Sequence, residues 1–149
     1  MINTDIYLHF NGDCEEAFKF YQSVFSGEFI IAQRYKDMAG SDKMSDADRE
    51  RMMHISLRIT PATTLMGSDL PSSEDKNFRP GNNYHICLHL ESEKGANNLF
   101  QALSRDGKVE MPMNRTFWGS YFGMAEDRFG IHWMISFTDQ NQMAKSKSK

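Results

Sequence analysis

The chain has 149 residues, 40% of them apolar and 25% charged, with a formal net charge of −3. This length suits one compact domain or two very small units sharing a core, and the composition is that of a globular fold rather than a disordered chain. There is no basic stripe and no apolar run near the roughly 18 residues of a membrane span, so neither nucleic acid nor a membrane is an expected partner.

The opening segment "MINTDIYLHF" has no basic stretch followed by a small-residue cleavage site, which points to a cytoplasmic protein. Cys14 and Cys87 then read as reduced thiols. Residues 5–10, "DIYLHF", alternate strictly and predict a strand. "NGD" follows as a helix start, with Asn11 or Asp13 as N-cap. Ala17, Phe20, Tyr21, Val24 and Phe25 recur at helical spacing, and Gly27 ends the segment. Residues 28–36 predict a second strand. Residues 37–51 are polar and read as an exposed, mobile insertion with a short helix, its "SDADRER" a solvated charged stretch. "MHISLRIT" (53–60) and "TTLMGSD" (63–69) flank Pro61 and Ala62 as a hairpin, and the Pro-rich residues 70–82 read as a linker.

The pattern then restarts. "HICLHL" (85–90) predicts a strand. Ala96, Leu99, Phe100 and Leu103 predict a helix that stops at Gly107. "VEMPMN" (109–114) predicts a Pro-interrupted strand, and 119–127 with 131–137 predict a hairpin turning on "DRFG". "IYLHF" at 6–10 returns as "ICLHL" at 86–90, and the helical apolar positions return 79 residues on. The order is strand, helix and three strands, twice, which predicts a duplicated unit: module 1 over about 3–69, module 2 over about 83–138, and a frayed tail at 139–149.

Alternation also sorts the polar groups. If each sheet buries one face under its helix, all five histidines (His9, His54, His85, His89 and His132) fall on the other face. Tyr7, Arg58, Met66, Cys87 and Met134 share it. Two readings stand: a solvated face that tolerates histidine, or the lining of a cup between two curved sheets. The second accounts better for Tyr7, Cys87, Met66 and Met134, which are unusual choices for solvent.

The order of elements, with "DCEEAFKFYQSVFSGE" near the start and "TFWGSYFGMAEDRFGIHWMI" near the end, resembles the PhnB-like branch of the vicinal oxygen chelate superfamily, which includes glyoxalase I, extradiol dioxygenases, and bleomycin and fosfomycin resistance proteins. The resemblance spans roughly residues 3–138. It implies an α+β fold of two βαβββ modules whose curved mixed sheets form a cup, and a homodimer. One fold hosts many chemistries, so it does not name a substrate. No Gly-rich loop follows a parallel strand, so a nucleotide-type cofactor is not expected.

Metal-using members of that superfamily take a ligand from the start of each module's first strand and a carboxylate from each module's last strand. Those positions are Asp5, His85, Met66 and Met134 here. Thioethers are poor partners for hard or borderline ions, so no metal or other cofactor is expected there. Asp5 and His85 remain the candidates should a divalent ion bind. A different set is conceivable on His85 and Cys87, about 6.7 Å apart along one strand face, joined by His54, His9 or His132. Cys87 with a histidine is a nucleophile–base pair in one reading and an inert buried thiol in the other.

For the cup, the expected occupant is a small organic ligand, aromatic or anionic. The candidate binding set is Tyr7, His9, His54, Arg58, Met66, His85, Cys87, His89, Trp118, Tyr121, His132 and Met134. Arg58 suits an anionic group, or else forms a salt bridge. The aromatic run 117–122 either closes over a ligand or packs in the core and a dimer contact. Two function classes follow: a metal-free small-molecule-binding protein, or a lyase, isomerase or dioxygenase using a divalent metal on Asp5 or His85.

Overall fold

A computed structural model describes residues 1–139. The expected tail, apart from Asp139, lies outside them. The chain divides into two compact units, Met1–Arg79 and Pro80–Lys149. Unit 1 runs β1 (Ile6–Phe10), α1 (Cys14–Phe25), β2 (Glu28–Arg34), α2 (Asp46–Glu50), β3 (Met52–Thr60) and β4 (Thr63–Asp69). Unit 2 runs β5 (Ile86–Leu90), α3 (Glu93–Ser104), β6 (Lys108–Arg115), β7 (Ser120–Glu126) and β8 (His132–Thr138). Each unit holds one four-stranded sheet, ordered β1-β4-β3-β2 and β5-β8-β7-β6. First and last strands pair in parallel, and the other neighbours pair antiparallel. The fold is thus α+β, built of two βαβββ modules with identical topology.

Each helix covers one sheet face. In unit 1 the buried helical residues are Cys14, Ala17, Phe18 and Tyr21. Phe18 meets Phe10 and Tyr21 edge-on, at 6.2 and 5.6 Å between ring centroids. Its ring reaches so far into the sheet that a Cβ on Gly67 would stand 2.6 Å from it. Phe18, not Phe20, is therefore the central aromatic of the helix. A helical stripe can be drawn through 17-20-21-24 or 14-17-18-21, and the glycine on β4 selects the second. In unit 2, Ala96, Phe100 and Leu103 are buried as the spacing predicts, and so are Trp133 and Ile135 of β8.

The two helices end alike, though not as their glycines suggest. The left-handed residues are Ser26 (φ 52°) and Asp106 (φ 59°), each just before its glycine. Gly27 and Gly107 are demanded by close approach instead: a Cβ would stand 2.5 Å from the Arg58 carbonyl oxygen and 2.2 Å from that of Glu126.

The helix starts differ. Ser92 caps α3 by accepting the Gly95 N–H at 3.0 Å. Asp13 stands at the N-cap of α1 but makes no such bond. The work is done from the end of β4, where Asp69 Oδ1 accepts the N–H groups of Gly12 and Cys14. The 37–51 insertion also differs from expectation. Asp48 is buried, accepting the Ser72 hydroxyl at 2.7 Å and lying 3.6 Å from Arg51, so this stretch is tied to the start of the 70–82 segment rather than loose in solvent.

Candidate functional site

Strand register places the polar groups in rows on the sheet face turned away from each helix. Directly opposed residues point to the same side. In unit 1 one row runs Tyr7, Met66, Ser56 and Ile31. The next carries His9, Ser68, His54 and Gln33. Tyr7 lies stacked against His54, at 5.7 Å between ring centroids and with its hydroxyl 3.3 Å from Nδ1, and tilts against His9 at 5.1 Å. Arg58 is exposed on β3, opposite Thr64. Asp5 is held at the start of β1, its Oδ1 accepting the Thr64 N–H at 3.2 Å.

Unit 2 carries the more organised group. One row crosses all four strands as Cys87, Met134, Met124 and Met111, one thiol and three thioethers. Another aligns His132 with Glu126 and Lys108, and His85 stands one residue before β5 on the same side. His132 is buried, and its Nδ1 lies 2.8 Å from Glu110 Oε1. The other oxygen of Glu110 lies 3.3 Å from His85 Nε2. The two imidazoles meet edge-on at 5.6 Å, and Tyr84 also packs edge-on against His132, at 5.5 Å. The Tyr84 hydroxyl accepts the His132 backbone N–H at 3.4 Å.

Glu110 belongs to β6, an edge strand, whereas His85 adjoins β5, the opposite edge. Four flat strands would separate those edges by about 14 Å. Their side chains touch, so the sheet curls around this face. A register shift between Val109 and Met111 aims the carboxylate: Lys108 and Met111 both oppose residues of the free face, and Glu110 is the extra residue between them. Partial burial alone raises the Glu110 carboxyl, but the hydrogen bonds with His132 and His85 outweigh it and hold the carboxyl below its ordinary range. A carboxylate only accepts, so His132 Nδ1 and His85 Nε2 carry the protons.

The remaining expected residues fall elsewhere. Cys87 Sγ lies 3.6 Å from His89 Nε2, but burial pushes its thiol up, which is the reverse of an activated nucleophile. Tyr121 faces the helix, its hydroxyl donating to Asn97 Oδ1 at 2.7 Å and its ring under the Arg115 guanidinium. It is therefore not on the face with the histidines. Trp118 and Phe117 stack edge-on at 4.8 Å on the β6–β7 connection, both exposed, so neither joins the core. Glu110 was not among the expected residues.

A family model described as the Glyoxalase/Bleomycin resistance protein/Dioxygenase superfamily matches residues 5–135. The chain belongs to this superfamily. Protein YjdN of Escherichia coli K12 is 27% identical over 142 residues, covering 90% of this chain and 94% of its own. The crystal structure of PA1353 from Pseudomonas aeruginosa is 31% identical with a TM-score of 0.79, covering 93% and 98% of the two chains. A PhnB protein from Bacillus cereus shares the fold at 24% identity and a TM-score of 0.72, over 92% and 100%. The resemblance to the PhnB-like branch is thus borne out.

At the last-strand positions that the resemblance gives to the family's metal ligands, each unit of this chain carries a methionine. Met66 and Met134 stand on β4 and β8, opposite Tyr7 and Cys87. They offer thioethers where a hard or borderline divalent ion needs carboxylates. Asp5 Oδ1 accepts the Thr64 amide, and His85 Nε2 lies against Glu110.

Proposed function

We propose that this superfamily member binds a small organic molecule and does so without a cation at the family's metal position. The observation that carries this reading is the methionine at each last-strand position, continued in unit 2 by Met124 and Met111. A row of polarisable sulfur favours a flat apolar or aromatic body lying across it. The imidazoles beside it in unit 2 suit an anionic substituent. The homodimer implied by the resemblance belongs to the same reading, and light scattering would return twice the chain mass; a monomer would overturn that part.

The test is a thermal-shift screen of chelator-treated protein against aromatic and aliphatic carboxylates and phosphates. A binder raises stability as RT ln(1 + [L]/Kd), about 2.7 kcal/mol at a hundredfold excess over Kd. Met134→Glu places a charge in the middle of the sulfur row and should abolish the shift. If no compound moves the melting temperature, or the shift survives in Met134→Glu, the reading is wrong.

A further inference from the structure

We propose that His85, Glu110 and His132 form a site for a borderline divalent cation of the zinc class, sharing only His85 with the positions that the resemblance gives to the family's metal. One nitrogen from each imidazole and one carboxylate oxygen lie within 4.8 Å of one another. Donors about 2.0–2.2 Å from a shared ion stand roughly 3–3.5 Å apart. The Glu110 oxygens are already 2.8 and 3.3 Å from the two nitrogens. Side-chain rotation alone brings the three onto one ion, with no movement of the strands.

Two imidazoles and a carboxylate suit zinc, iron(II), cobalt(II) or nickel(II) better than magnesium or calcium, which prefer all-oxygen shells. Three protein donors leave further positions open for water or a ligand atom. Each ring binds by moving its proton to its other nitrogen, so His132 Nδ1 and His85 Nε2 present lone pairs. No net proton is needed from a neutral ring.

The site is built rather than incidental. The bulge in β6 turns Glu110 onto the histidine face. Burial fixes the His132 ring, with Tyr84 across it. Only His85 stands at a family ligand position; Glu110 and His132 come from other places in the module.

Cobalt(II) is a suitable probe, since its visible spectrum reports bound geometry without any assay of activity. Chelator-treated full-length protein should take up a single equivalent, and in the diamagnetic zinc-loaded protein imidazole nitrogen-15 shifts should report the tautomer change. Glu110→Gln and His132→Gln should each weaken uptake by at least the ~10–100-fold that loss of an outer-shell partner costs. Circular dichroism of both variants checks that they fold. Asp5→Asn should leave uptake unchanged. Absence of saturable uptake, uptake unaffected in both donor variants, or equal loss in Asp5→Asn would each overturn the proposal. The organic-ligand screen uses metal-free protein, so the two readings fail independently.

Discussion

Asp69 Oδ1 accepts the backbone N–H of Cys14 at 3.0 Å, so the last residue of β4 holds the first turn of α1 across 55 residues of chain. The same carboxylate accepts Gly12 N–H through Oδ1 and Met52 N–H through Oδ2, both at 2.9 Å. Asp69 is fully buried. Asp69→Ala leaves the buried amides of Cys14 and Met52 without a partner and should cost about 2–6 kcal/mol, since each unsatisfied buried group costs roughly 1–3. Asp69→Asn keeps one acceptor and should cost less. Urea midpoints of the two variants check the order.

Gly27→Ala and Gly107→Ala should each destabilise by about 1–3 kcal/mol, because the added methyl meets a carbonyl oxygen that cannot retreat without shifting a strand. Ser26→Gly and Asp106→Gly relieve a left-handed residue and should be neutral or mildly stabilising. Thermal melts of the four variants distinguish steric demand at the glycine from conformational demand at the residue before it.

Asp48 is held below the ordinary carboxylate range, first by the Ser72 hydroxyl, with burial opposing and the Ser72 amide and Arg51 assisting. A depressed folded value means the contribution is complete above the unfolded carboxylate range near 3.9 and is lost as pH falls through the folded value. Asp48→Asn should therefore cost about 1–3 kcal/mol at pH 7. The gap to the parent should close in strongly acidic buffer. A gap independent of pH would rule out this linkage.

The two thiols should differ in reactivity. Burial, reinforced by the charge of Asp69, drives the Cys14 thiol far up, and no part of the residue reaches solvent. Cys87 is raised by burial alone and is exposed. Alkylation at pH 8 should label Cys87, more slowly than a free cysteine, and spare Cys14 until the protein unfolds.

The duplicated architecture was legible because strict alternation and helical spacing are local signals, and both recur at one offset. Ile6, Leu8 and Phe10 against Tyr7 and His9 sort themselves without tertiary information. Glu110 did not, because the bulge breaks alternation where Pro112 already interrupts the strand, and no local pattern tells which side the extra residue takes. For Tyr121 the sequence left ligand closure and core packing both open, although a clue was present: the buried Ala125 shares its parity on β7. The Asp69 cap depends on a partner 55 residues away, beyond the reach of any capping motif.

The parallel pairing of β1 with β4, and of β5 with β8, also dictates an order of events at the ribosome. Ile6 waits for Leu65, about 60 residues of synthesis, and Ile86 for Trp133, nearly 50. Until then each opening strand has no strand of its own module to pair with. Each half of the nascent chain therefore cannot join its opening strand to its sheet until its last strand has been made.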